Sequence, residues 1–206
     1  MDANGDVEAD DAVNRDDVAG GAGSAEALVM RMAETCGFEH IGVCDVQALQ
    51  VREEVRAMCA SNKCRAYGKN WRCPPYCGEL SYYAAQIAEK QRVIVTQTVV
   101  QLEDDFDVEA MLEGERTHQD RFRMLLFELN KREDETKQKL GFLALGAGTC
   151  TLCDACTCPD NPCRFPQIAT TSMESAGLVV ADVCTAAGIA YYHGKGTLAY
   201  TSCVLV

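Results

Sequence analysis

Three histidines, one tryptophan and five prolines in 206 residues leave little room for several common site chemistries. His40, His118 and His193 stand far apart in the chain, so no helical pair of metal-binding histidines exists and a histidine-built zinc enzyme is excluded. The sequence has no Walker A loop, no G-x-S-x-G elbow and no G-x-G-x-x-G. The stretch Gly146-Ala147-Gly148-Thr149 is too short a match for a nucleotide loop. No apolar run approaches the roughly eighteen residues of a membrane helix, so no membrane association is expected. The first residues, MDANGDVEADDAVNRDD, lack the basic and apolar regions of a secretory signal, and a cytoplasmic location is expected. Basic charge is scarce too. With 19 Lys and Arg against 31 Asp and Glu, the net charge of −12 excludes a nucleic-acid binder with a basic footprint.

Much of the acidic excess lies in residues 1–23, where Asp2, Asp6, Glu8, Asp10, Asp11, Asp16 and Asp17 face Arg15 alone. That segment has no Leu, Ile or aromatic residue to offset its ordering entropy, and it reads as a disordered acidic tail. Residues 24–206 then form one cysteine-rich domain. Its expected class is α+β: a small mixed or antiparallel sheet with packed helices and two metal-binding loops.

Local signals place the elements. Ala25, Leu28, Val29, Met32, Ala33 and Cys36 recur at helical spacing behind Ser24 as N-cap. His40–Val46 reads as a strand, with Asp45 capping a helix that runs to about Met58. Ser81–Lys90 reads as helix and Arg92–Val100 as a buried strand. Residues 103–139 read as one or two helices, with Gly114 marking a break. Gly141–Gly148 forms a strand or tight turn. Thr171 and Glu174 make a capping box for a helix carrying Met173, Ala176, Val180, Val183 and Ala187. The carboxy-terminal stretch, AYYHGKGTLAYTSCVLV, reads as two strands joined at Gly-Lys-Gly.

What the chain has in quantity is cysteine, thirteen in all. In a reducing compartment clustered cysteines favour metal ligation over disulfides. Cys59, Cys64, Cys73 and Cys77 follow C-x4-C-x8-C-x3-C, and Cys150, Cys153 and Cys156 follow C-x2-C-x2-C. Three sulfurs from one tight turn can wrap a face of a cuboidal cluster while a fourth arrives from further along, as in ferredoxins. Either Cys158, in a Cys-Pro pair, or Cys163 can supply that fourth sulfur, and Cys163 is preferred. Structural zinc is the alternative, since the second cluster holds overlapping C-x2-C pairs. Lys63, Arg65, Lys69 and Arg72 make the first loop basic, and with Arg164 they are candidates to offset an anionic centre. Lys69, Arg72 and Arg164 are the candidate cofactor contacts. Pro74 and Pro75 stiffen the loop behind Cys73, and Trp71 is either a cluster shield or a packed aromatic. Cys36, Cys44, Cys184 and Cys203 sit on helix and strand patterns and read as small core residues.

The order Cys59-x4-Cys64, YGKNWRCPPYC, LGAGTCTLCDAC, PCRFP and TSMESAGLVV resembles the domain of unknown function 2284 family, predicted metal-binding proteins, over roughly residues 25–206. The resemblance implies metal binding, iron–sulfur in type, by Cys59, Cys64 and Cys73 in the first loop and Cys150, Cys153, Cys156 and Cys163 in the second. It brings no established reaction. The expected function is an electron-transfer or redox accessory protein with one or two [4Fe–4S] clusters and a redox partner protein. An iron–sulfur enzyme with an open iron site, or a zinc module that organises an interface, are the alternatives.

Overall fold

The computed structural model describes residues 20–206, with side chains from Ala25 onward. The expected acidic tail lies largely outside the described residues. The first helix, α1, spans Gly20–Thr35, so it begins four residues before Ser24 and Ser24 is not its N-cap. Strand β1 (His40–Asp45) follows, and Asp45 caps a single 3-10 turn, accepting from the Gln47 N–H at 2.8 Å. The chain then breaks before α2 (Glu53–Ala57) and a second 3-10 turn over Met58–Ser61, which carries Cys59. After the first cysteine loop come α3 (Leu80–Ala88), β2 (Arg92–Gln101) and α4 (Val108–Thr136). Strand β3 (Leu143–Gly146), the second cysteine loop, β4 (Thr171–Ser172), α5 (Val180–Ala186) and β5 (Thr197–Leu205) complete the chain.

The five strands form one mixed sheet in the order β1-β2-β5-β3-β4, antiparallel except for the β3–β4 pair. Alternation along the strands feeds two cores. Ile94 and Val204, opposite each other in register, meet Val29, Ala33, Phe122, Leu125, Leu126 and Leu129 of α1 and α4 on one face. Val93, Val95, Cys203 and Leu205 point the other way, onto Tyr83, Ile87, Met173, Leu178 and Val183. Cys36, Cys44, Cys184 and Cys203 are all buried, as small core residues should be. Among the described residues no helix is long and apolar enough to cross a membrane.

Three further elements depart from the sequence expectation. Helix α4 runs unbroken through Gly114, because that glycine serves close approach instead of a turn: a Cβ there would lie 2.1 Å from Val100 Cγ2 and 3.2 Å from Tyr200 Cε2. The expected capping box does not form. Thr171 belongs to β4, and its hydroxyl lies 2.9 Å from Tyr83 Oη; Ser172 Oγ, one residue on, accepts from the Ser175 N–H at 3.1 Å, and the next helix waits until Val180. The carboxy-terminal hairpin is likewise absent. Residues 190–196 are loop, and β5 takes its partners from β2 and β3 because the long hydrophobic strand β2 outcompetes a short local one.

His118 pins α4 to the sheet. Its Nδ1 lies 3.1 Å from Thr98 Oγ1 and its Nε2 lies 2.8 Å from Ser202 Oγ, with the ring fully buried beside Phe38 and Phe122. Burial, aided by the Arg121 charge, pushes its pKa down to about 3. The unfolded chain protonates this imidazole near pH 6.5 while the folded chain excludes the proton, so stability is full above that pH and falls as pH drops toward 3. His118→Gln should therefore be less stable at neutral pH yet lose less on acidification. Urea titrations between pH 7 and 5 should show a slope smaller by up to roughly 1.4 kcal/mol per pH unit below pH 6. Gly114→Ala, despite a better helix propensity, should destabilise by about 1–3 kcal/mol through overpacking against Val100, read in the same urea assay.

Candidate metal centre

Both cysteine-rich loops gather at the β3–β4 edge. The parallel registers Leu145↔Thr171 and Gly146↔Ser172 send the two chains out at the same end of the sheet, so the segment Gly148-Thr149-Cys150 emerges beside the turn at Glu174 and Ser175. The first loop packs onto this pair. Asn70 Nδ2 donates to Thr149 Oγ1 at 3.2 Å, Trp71 Nε1 donates to the Asn161 carbonyl at 2.9 Å, and an Arg72 guanidinium N–H donates to the Pro166 carbonyl at 3.0 Å. Trp71, edge-on to Tyr76, is thus a staple between the loops. From beneath, Gln119 of α4 donates to the Thr149 carbonyl, and Arg123 donates to Thr151 Oγ1.

At this junction Cys59, Cys64 and Cys73 line one cavity of about 180 Å³, with Thr149, Ser172, Glu174 and Ser175 completing its polar wall. The hydroxyls lie at hydrogen-bonding range for sulfur: Ser175 Oγ is 3.8 Å from Cys59 Sγ and Thr149 Oγ1 is 3.7 Å from Cys73 Sγ. Burial raises the Cys59 thiol. The Ser175 hydroxyl opposes that rise, while charge on Cys64, Cys73 and Glu174 adds to it.

Cys77 does not line this cavity. A guanidinium N–H of Arg56 donates to its sulfur at 2.7 Å, its carbonyl accepts from Tyr83 Oη at 2.5 Å, and its side chain lines a separate groove with Trp71, Arg72 and Cys163. Burial raises this thiol as well, Arg56 lowers it, and charge on Cys73 adds to the rise.

In the second loop Cys150 is raised by burial first. A backbone N–H at Leu152 opposes that rise, and charge on Cys163, Cys156 and Cys153 adds to it. Burial raises Cys158 as well, and charge on Cys156 and Asp160 adds to it. All thirteen cysteines are free thiols. Among the described residues, no three His, Cys, Asp or Glu side chains stand ready as ligands of a single metal ion.

The cationic candidates take other places. No Lys or Arg lines the three-cysteine cavity. Lys69 is exposed, Arg72 braces Pro166 beside the Cys77 groove, and Arg164 donates to the Ala155 carbonyl at 2.8 Å, holding the second loop closed. Both Pro74-Pro75 and Cys158-Pro159 are cis.

Comparison with known proteins agrees with the cysteine pattern. The model of the domain of unknown function 2284, described as a predicted metal-binding protein, matches residues 42–206. The chain belongs to this family. No curated protein and no solved structure matches it. The family's matched span takes in both loops and the Glu174 turn.

Glu174, Ser175 and Thr149 are site residues that cysteine spacing alone does not identify. The only sequence signal for them is their place in LGAGTC and SMESAG. Asn70, 6% exposed, holds the junction together, since its Oδ1 also accepts from the Arg72 N–H at 2.9 Å. Asn70→Ala should cost about 1–3 kcal/mol by leaving buried partners unsatisfied, measurable as a lowered urea midpoint with unchanged slope.

Proposed function

We propose that the protein is an iron–sulfur protein serving electron transfer or a redox accessory role, with two centres at the β3–β4 edge. Cys150, Cys153, Cys156 and Cys163 hold one, and Cys59, Cys64 and Cys73 supply thiolates to the other. The observation that carries this reading is the irregular segment after β3, which holds Cys150, Cys153, Cys156 and Cys163 together beside the cavity that Cys59, Cys64 and Cys73 line. It joins the C-x2-C-x2-C run to a distant fourth sulfur, the arrangement a cuboidal cluster needs.

The donor chemistry fits. Thiolates are soft ligands suited to iron–sulfur clusters and zinc. A cavity of about 180 Å³ lined by three thiols offers several times the roughly 30 Å³ of one water, room for a polynuclear group. When bound, such a cluster supplies one-electron transfer. The chain's own residues supply thiolates, nearby hydroxyls at Thr149 and Ser175, and the Trp71 and Asn70 contacts that keep the two loops together. A redox partner protein at this edge and a cytoplasmic setting belong to the same proposal.

A second reading has a specific observation behind it. Cys77 points to Arg56 instead of the cavity, so the first centre has three thiolates and one iron position not held by sulfur. Such a position can act as a Lewis acid. Zinc in both centres is the third reading.

Protein purified without oxygen should carry iron and acid-labile sulfide in equal amounts, about eight of each per chain for two cubane clusters, with visible absorbance. Cys163→Ser should lose about half of both, and Cys158→Ser should retain all. One or two zinc ions with no sulfide and no colour would overturn the iron–sulfur assignment.

A further inference from the structure

The SMESAG turn is built residue by residue to aim one side chain. Ser172 Oγ accepts from the Ser175 N–H at 3.1 Å, and the Ala176 and Leu178 N–H groups donate to the carbonyls of Ser172 and Met173 at 3.0 and 2.8 Å. Met173 and Ala176 are fully buried in the core. Gly177 has φ +85°, and a Cβ there would lie 3.0 Å from the Arg52 carbonyl oxygen, so only glycine closes the turn. With its neighbours fixed on the core side, Glu174 lines the cavity of Cys59, Cys64 and Cys73.

That carboxylate has no counter-ion. It takes part in none of the ion pairs among the described residues, and no basic side chain lines the cavity. Cys59 and Glu174 line the same cavity, as do Cys64 and Cys73. Loss of the thiol protons would gather three thiolates and a carboxylate around one cavity, a charge that a bound cation offsets. Four protein donors are also what a thiolate-bound metal centre ordinarily takes, and Cys77 is held by Arg56 outside the cavity.

We infer that Glu174 is the fourth protein ligand of the centre built by Cys59, Cys64 and Cys73, a carboxylate oxygen in place of a fourth thiolate. The inference rests on the proposed metal centre in the first loop. A carboxylate is a harder donor than a thiolate, so it would make this centre chemically distinct from one held by four thiolates.

The test uses the full-length chain purified without oxygen with its own metal. Wild type, Glu174→Gln, Glu174→Asp, Cys77→Ser and Cys73→Ser are challenged with EDTA while metal release, absorbance and EPR are followed, and each is checked by thermal melting. Glu174→Gln should release metal from one centre at least about tenfold faster, the range in which even supporting partners of metal ligands act. Cys77→Ser should release at the wild-type rate, and Glu174→Asp should hold metal better than Gln with altered spectra. Should the Gln variant melt abnormally, the Asp variant decides: shifted spectra with metal retained support the assignment, and wild-type spectra overturn it. Wild-type release by Glu174→Gln, whatever Cys77→Ser does, overturns it too. If Cys73→Ser keeps wild-type metal and spectra, the first-loop centre itself falls and Glu174 falls with it.

Discussion

The two-residue parallel pairing of β4 with β3 is the constraint on which the functional edge depends. Parallel strands cannot be joined by a tight turn, so the chain must leave the sheet after Gly146 and return at Thr171. Such a crossover is commonly a helix. Here residues 147–170 hold no helix or strand, and they carry five of the thirteen cysteines. A long connection without regular structure lacks a ladder of backbone hydrogen bonds and a packed apolar face. Side chains must hold it instead: Gln119 and Arg123 from α4, Trp71 and Arg72 from the first loop, and Arg164 from within. Because parallel strands exit at the same end, the same pairing sets Thr149 beside Ser175, and the first loop closes the cavity over both.

Electrostatics gives this edge its character. The chain is strongly acidic, and its basic loop residues turn outward or brace carbonyls instead of entering the cavity. The donors that do enter are thiols, hydroxyls and one carboxylate. Burial raises Cys59, and neighbouring negative charge raises it further, so in the absence of a cation the protonated thiol is favoured. A metal held by these thiols would displace their protons, which would link its binding to pH.

Elements whose signal was periodic were legible in the sequence. The β2 strand is a continuous β-branched run, α3 carries an apolar stripe, and the four lone cysteines lie on core-facing positions, and each is found where that pattern put it. What misled was punctuation. Gly114 reads as a helix break in one dimension, but its lack of a Cβ serves contact with Val100 from a strand distant in space. Thr171 and Glu174 have capping-box spacing, yet tertiary packing gave Thr171 to β4 and Glu174 to the cavity. The hairpin at Gly-Lys-Gly failed because local turn chemistry cannot reveal that β2 offers β5 nine residues of register. Cysteine spacing located both loops, but it cannot tell which sulfur faces which. That is a matter of how Arg56, on another helix, holds Cys77.

Arg56 also explains why a chain would keep a fourth cysteine close to a three-cysteine site without using it there. The guanidinium contact at 2.7 Å lies in a part-buried setting, with the Arg56 Nε buried and unpartnered and its cation placed 5.7 Å above the Tyr83 ring. An arginine committed to that pocket has few other partners, so withdrawing Cys77 would leave a buried cation poorly satisfied. Tyr83 in turn ties the Cys77 carbonyl to Thr171 at the start of the SMESAG turn. Arg56 holds the Cys77 sulfur, while Tyr83 ties the Cys77 backbone to the strand that leads into the Glu174 turn. The two are coupled because the Arg56 guanidinium lies over the Tyr83 ring, and a change at Tyr83 would disturb both together.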